Sequence, residues 1–384
     1  MRFEFAAPRR IVFGAGRVDE LHGIAAALGR RALLVTGGDP QRVAPVRDQL
    51  EAGGLACEVY AVRGEPTVAV AEEAADRARV AGCDVVVSVG GGSVIDTGKA
   101  AAALSQVYGP TLAYLEVVGE GRPLDGEPLP HVALPTTAGT GSEATRNAVL
   151  GVPDQRVKVS LRDAAMVPQV ALVDPELAIG VPPSVTAASG LDALTQLVEP
   201  LTSHRATPMT DALCREALPR IARSLRRAVT DGADLDARAD MALASLHSGL
   251  ALANAGLGAV HGLAGPLGGV SEAPHGAVCG RLLPVTTEVN VRALRERAPD
   301  SPALTRYREV AALLTGDPAA VIEDGIAWMH ALVDDLDVPG LDAYGLGDDD
   351  LGLVSEAAAR ASSMRGNPIE LSAHERREIL ERAR

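Results

Sequence analysis

Asp84-Val85-Val86-Val87-Ser88-Val89-Gly90-Gly91-Gly92-Ser93 is the stretch whose reading decides the fold. A β-branched apolar run ends in a glycine turn, and the residues after it, which carry Asp96 and Lys99, follow a helical pattern. A strand, a glycine turn and a helix start expose backbone N–H groups to a pyrophosphate, and the missing side chains let it approach closely. The spacing is not GxGxxG, so the stretch is not the ordinary Rossmann fingerprint.

Outward from this unit the pattern repeats. Further strands are expected over residues 10–13, 32–36, 57–60, 131–134 and 170–173, with helices over 68–81 and 93–104, the alternation of a parallel sheet with crossover helices. Directly after the strand at 131–134 comes Pro135-Thr136-Thr137-Ala138-Gly139-Thr140-Gly141-Ser142-Glu143, dense in hydroxyls and bare amides suited to ribose, phosphate and a nicotinamide amide. Lys158, on an expected neighbouring strand, is a further candidate for the ribose or phosphate, although a surface strand lysine reads the same way.

Past Pro182-Pro183 the strand signal fades, and Ala/Leu helices are expected over 208–229, 236–257 and 302–314. The prolines of residues 174–183 interrupt both periodicities and mark the boundary. The fold class expected is therefore an α/β N-terminal nucleotide-binding domain, a parallel sheet with helices over residues 1–180, followed by an all-α C-terminal domain over 181–384 that binds metal and substrate.

The helical half carries four candidate metal ligands. In Gly190-Leu191-Asp192-Ala193-Leu194-Thr195-Gln196, helical spacing puts Asp192 and Gln196 on one face. His261 follows the small-residue segment 251–260, read as a helix, and His275 sits between Pro274 and Gly276. Two neutral imidazoles and a carboxylate make a donor set for a divalent metal, though either histidine alone reads more readily as a hydrogen-bonded core residue.

Composition bounds the partners. A net charge of −14 over 384 residues, with no basic stripe, disfavours nucleic acid or an anionic membrane. Cys57, Cys83, Cys214 and Cys279 lack CxxC spacing, so disulfides are not expected and a reducing cytoplasm is the natural compartment. No stretch reads as a membrane span or signal core. An edge strand at 3–5 or 10–13 offers a pairing edge to a second copy, hence an expected homodimer.

With these residues in view, the chain resembles the iron-containing (group III) alcohol dehydrogenase family over nearly its whole length. The stretches that carry the resemblance are Phe13-Gly14-Ala15-Gly16, residues 90–99, Pro135 to Glu143, Val173-Asp174-Pro175-Glu176-Leu177, Gly190 to Thr195, His261-Gly262 and Pro274-His275-Gly276. The resemblance implies NAD(P)-dependent interconversion of an alcohol with an aldehyde or ketone, assisted by a metal in a cleft between two domains. It carries Asp192, His261 and His275 over as metal ligands, and Gly91, Gly92, Ser93, Thr136, Thr137 and Lys158 as cofactor contacts. Asp96 joins that list from the helix after the glycine turn, and Thr140 and Ser142 from the threonine loop.

Three departures qualify it. The family usually has a histidine where this chain has Gln196, whose harder, weaker amide donor favours Fe²⁺, Mn²⁺ or Mg²⁺ over Zn²⁺ and lowers affinity. The position four after His261, often a proton-relaying histidine, is Gly265. The aspartate often found after the first strand of the nucleotide fold is replaced by Gly37, so either Asp39 takes the ribose 2′-OH of NAD or nearby Arg42 favours the 2′-phosphate of NADP. Rival readings are a maleylacetate reductase, which tends to lose the metal ligands, a dehydroquinate-synthase-like lyase, which needs basic residues not seen around 261–275, and a nucleotide-binding protein with eroded catalysis.

Overall fold

The computed structural model describes residues 2–384. Ala6–Ile179 form one compact unit and Gly180–Arg384 the body of a second.

In the first unit, β1 (Arg10–Phe13), α1 (Leu21–Ala26), β2 (Arg31–Thr36), α2 (Ala44–Ala52), β3 (Ala56–Ala61), α3 (Val68–Ala81), β4 (Val85–Gly90), α4 (Gly92–Leu104) and β5 (His131–Pro135) alternate along the chain. A hairpin of β6 (Asn147–Val152) and β7 (Val157–Arg162) follows, and β8 (Val170–Val173) returns to the sheet. The six-stranded sheet has the order β1-β8-β5-β4-β2-β3 and is parallel throughout. Because successive side chains of a strand face opposite sides, Leu34, Val85 and Val87 pack with Leu21, Ile24, Val46 and Leu50 of α1 and α2. Leu33, Val35 and Val86 pack on the other face with Ala74, Ala78, Ala101 and Ala102 of α3 and α4. The result is a sheet covered on both faces, as continuous Val/Leu strands require.

β2 continues to β3 on one side, whereas β4 continues to β5 on the other. The strand order therefore switches between β2 and β4, and open α/β sheets bind ligands beyond the strand C-termini at such a point.

The second unit is helical: α5 (Pro183–Thr202), α6 (Pro208–Thr230), α7 (Leu235–Ala255), α8 (Ala259–Val270), α9 (His275–Arg297), α10 (Pro302–Thr315), α11 (Ile322–Asp335), α12 (Asp348–Arg360) and α13 (Ala373–Arg382). Every residue of α5 from Gly190 to Thr202 is buried, and the helix packs against α6, α7 and α9. Its all-round burial explains why polar residues on it are positioned rather than solvated.

Two readings need correction. The segment 251–260 is not one helix: Gly256 takes φ 70° and ψ −172°, α7 stops at Ala255, and a new helix begins at Ala259, which puts His261 inside the first turn of α8. Residues 3–5 form no strand, and the sheet's N-terminal edge is β1 alone. No single helix among the described residues is long and apolar enough to cross a membrane.

Candidate metal centre and nucleotide-binding edge

In the helical unit three of the four sequence candidates converge. The His261 Nε2 atom lies 3.2 Å from Asp192 Oδ1, and His275 Nε2 lies 3.8 Å from the same oxygen. Asp192 is 2 % exposed and His261 7 %, while the His275 side chain keeps 37 % exposure and gives the cluster its open side. The placement follows from helix approach. A Cβ on Gly276 would stand 1.9 Å from the Ala188 carbonyl oxygen, and one on Gly280 2.6 Å from Leu191 Cδ1, so two bare positions let α9 close onto α5 beside Asp192.

His261 is oriented from behind. Its Nδ1–H donates to Glu199 Oε2 at 2.7 Å, which turns Nε2 toward Asp192. The other Glu199 oxygen accepts from the Val260 N–H at 2.7 Å and, more weakly, from the His261 N–H at 3.4 Å, so one carboxylate caps α8 and fixes the ring. Asn367 accepts from the neighbouring Ala259 N–H at 3.1 Å and is itself held by Asn290.

Gln196 reaches the cluster indirectly. Its amide oxygen accepts from the Ser248 hydroxyl at 3.3 Å, and its amide N–H₂ side hydrogen-bonds Asp192. A residue that sequence reasoning passed over is closer: Cys279 Sγ lies 3.6 Å from His275 Nε2 and 3.8 Å from His261 Nε2, fully buried. Donor atoms of Asp192, His261, His275 and Cys279 all lie within 4.8 Å of one another. The i, i+4 spacing from His275 was the available signal, the same spacing that joins Asp192 to Gln196. Glu199 carried no signal beyond its helix.

Charges in the cluster answer one another. Burial pushes the Asp192 carboxyl up, but the His261 hydrogen bond and the two imidazoles hold it below its ordinary value. Burial opposes protonation of His261, yet Cys279, Glu199 and Asp192 raise it well above the usual imidazole range. An excess of electron-pair donors thus faces a small volume.

The first unit gathers most of the expected nucleotide contacts at the C-terminal edge of its sheet. α4 begins at Gly92 with Gly91 as an extended cap and no side chain bonded to its first N–H groups. A Cβ on Gly91 would lie 3.1 Å from Thr137 Oγ1, and one on Gly92 2.9 Å from Thr140 Cγ2, so the threonine loop stands directly against the glycine turn. Ser93 is in the first turn of α4, and the Thr136 N–H donates to the Gly90 carbonyl at 3.0 Å. Gly37 follows β2, the strand beside β4, and a Cβ there would meet nothing within 4 Å. Asp39 caps the short turn at 40–43 by accepting from the Gln41 N–H at 3.0 Å.

Three other candidates have different partners. Asp96 and Ser142 hydrogen-bond each other, and both hold the buried Lys99 ammonium, at 3.0 Å each. Lys99 also donates to Thr145 Oγ1 at 2.8 Å and to the Asn147 carbonyl, while Asp96 accepts from the Val149 N–H at 2.9 Å. Their side chains therefore fasten the threonine loop and the hairpin to α4. Lys158, on β7, pairs with Glu65.

The comparisons agree with this architecture. The sequence model of iron-containing alcohol dehydrogenases matches residues 8–175, and that of the C-terminal part of the same family matches residues 186–384. A choline dehydrogenase of Bacillus subtilis is 32 % identical over 373 residues, 96 % of this chain and 92 % of that protein. The crystal structure of a 1,3-propanediol oxidoreductase superimposes with a TM-score of 0.92 at 32 % identity, covering 100 % of both chains. A sulfoacetaldehyde reductase from Bifidobacterium kashiwanohense, solved with NAD⁺, gives 0.87 at 28 % identity over 99 % of this chain and 98 % of that one. The chain belongs to the iron-containing alcohol dehydrogenase family.

Proposed function

We propose that the chain interconverts an alcohol with its aldehyde or ketone, using NAD or NADP and one divalent metal. The observation that carries this reading is the carboxylate–imidazole pair Glu199–His261 behind a converging set of donors. A metal-ligating histidine characteristically donates its second N–H to such an acceptor, and a histidine serving only the core has no need of further donors grouped at its free nitrogen.

The residues fit both groups. For the metal, Asp192, His261 and His275 offer one anionic oxygen and two imidazole nitrogens within reach of a single ion. For the nucleotide, the bare Gly91 and Gly92 and the uncapped start of α4 supply N–H groups to a pyrophosphate, with Thr136, Thr137 and Thr140 beside them. When bound, the metal supplies a Lewis acid to the substrate oxygen and the nicotinamide supplies or accepts hydride.

The chain's own part is to hold and shield. Asp192 offsets cationic charge, Glu199 fixes the His261 ring, and the exposed edge of His275 marks the side from which substrate and protons arrive. Gly265 leaves open space where a proton-relaying side chain would stand, since a Cβ there would touch nothing within 4 Å. Water is therefore the proton carrier. The open face of Gly37 and the exposed Arg42 support NADP over NAD, and Asp39 Oδ1 is engaged by its own turn. The free edge of β1 supports a homodimer.

Steady-state oxidation of NADH and NADPH against a panel of aldehydes, with metal-stripped protein reconstituted with Fe²⁺, Zn²⁺, Mn²⁺ or Mg²⁺, tests the reading. Turnover that requires the metal and is faster with NADPH is expected. Nucleotide binding without turnover under every metal would refute it.

A further inference from the structure

We infer that Cys279 is the fourth metal ligand, a thiolate that takes the coordination place Gln196 does not fill. The inference rests on the metal reading above and deepens it. Three observations carry it.

The first is distance. With metal–nitrogen bonds of about 2.0–2.1 Å and a metal–sulfur bond of about 2.3 Å, a tetrahedral site has donor-to-donor edges of roughly 3.3–3.6 Å. Four edges of this cluster are 3.2 Å (His261 to Asp192), 3.8 Å (His275 to Asp192), 3.6 Å (Cys279 to His275) and 3.8 Å (Cys279 to His261). All four donors lie within 4.8 Å of one another, so small side-chain shifts bring them within reach of one ion.

The second is the position of Gln196. Its amide oxygen is engaged by Ser248 of α7 and its nitrogen side by Asp192, so it buttresses a ligand from outside the cluster. A four-donor site then needs its last member from elsewhere. Cys279 is one helical turn beyond His275 on α9 and points its sulfur into the same volume.

The third is the surroundings of the sulfur. A buried cysteine serving as a small apolar side chain packs among carbons. Here the sulfur has two imidazole nitrogens within 3.8 Å.

The chemistry follows from charge. On coordination Cys279 gives its proton to solvent, and Asp192 and Cys279 together neutralise a divalent ion that an Asp–Gln–His–His set would leave with one positive charge. The ion is held more tightly and is a weaker Lewis acid. Thiolate donation also selects Zn²⁺, Fe²⁺ or Co²⁺ over Mg²⁺, reversing the preference that Gln196 as a ligand implies.

Cobalt is the probe. Full-length protein, stripped by chelator and titrated with Co²⁺, is expected to bind one equivalent and to develop visible d–d bands together with a sulfur-to-cobalt charge-transfer band in the near ultraviolet. Cys279→Ser, nearly isosteric, is expected to lose the charge-transfer band and weaken Co²⁺ binding by at least about 10-fold, with its fold confirmed by circular dichroism. Gln196→Ala and Cys214→Ser, the latter on α6, are expected to keep the band. Co²⁺ bound with d–d bands but no charge-transfer band, or bound equally by Cys279→Ser, overturns the thiolate assignment and leaves the metal reading standing. Failure of the unaltered protein to bind Co²⁺ overturns both.

Discussion

Two buried polar clusters, one in each unit, are built on opposite plans. Around Lys99 a single cation sits among oxygens of Asp96, Ser142, Thr145 and Asn147. Around Asp192 two imidazoles, a thiol and a carboxylate face one another, with Glu199 behind. The first carries its own positive charge, held by oxygens of four residues. The second has donors in excess and becomes balanced by protons or by a metal ion. Histidine reports the difference: near Lys99, burial and the ammonium charge push His131 down to about 3, whereas the anionic groups near His261 and His275 raise both.

The contrast breaks most visibly at Lys99. Its side chain is fully buried, and its removal leaves Asp96 charged with only hydroxyl and amide partners. Lys99→Met is therefore expected to cost about 3–5 kcal/mol, the usual penalty for stripping one partner from a buried pair. Urea unfolding followed by circular dichroism measures it. A loss below about 1 kcal/mol would mean that the ammonium is not needed to hold the hairpin and threonine loop to α4.

The same operation in the other cluster should cost binding rather than folding. Glu199→Gln keeps an oxygen to cap the Val260 N–H but removes the anionic acceptor from His261 Nδ1. Metal affinity is expected to fall about 10–100-fold, equivalent to about 1.4–2.8 kcal/mol, with the metal-free melting temperature little changed. Competition with a chelator of known affinity reads the first quantity and thermal melting the second. If affinity and melting temperature both stay, Glu199 acts only as the α8 cap that the glutamine oxygen preserves.

How much of this was legible beforehand depended on the range of the interaction. The helix at 68–81 and the strands at 10–13 and 170–173 were readable to the residue, because periodicity and turn signals act over a few positions. Asp192, His261 and His275 were readable as candidates from residue type and helical spacing. Glu199 was not: it meets His261 across 62 residues, and only the packing of α8 on α5 decides that it turns inward. Cys279 was set aside because its spacing to other cysteines was the property weighed, whereas its partner is a histidine one turn away. Asp96, on the first turns of α4, and Ser142, in the threonine loop, are expected nucleotide contacts from their place beside the glycine turn. Their commitment to Lys99 is a tertiary fact, invisible in a sequence where Lys99 is one more helical lysine.

The smallest expected effect sharpens the comparison through pH. His131, at the start of β5, bonds Ser88 through Nε2 at 2.9 Å, and its Nδ1 has no partner among the described residues. Its folded value of about 3 lies below the unfolded 6.5. Between these values the unfolded chain binds a proton that the fold refuses, so this contribution is fully present above pH 6.5 and is lost as pH falls toward 3. At pH 5.5, one unit below the unfolded value, the loss relative to pH 7.5 is about 1.4 kcal/mol. His131→Gln preserves a side-chain partner for Ser88 without titrating. The stability difference between pH 7.5 and pH 5.5 is expected to shrink by about that amount in the variant, read by urea midpoints at the two pH values. An undiminished difference would place the acid sensitivity elsewhere. His261 and His275 carry the opposite sign, since their folded values are raised above the unfolded one, while Asp192 beside them, held below its ordinary value, carries the same sign as His131.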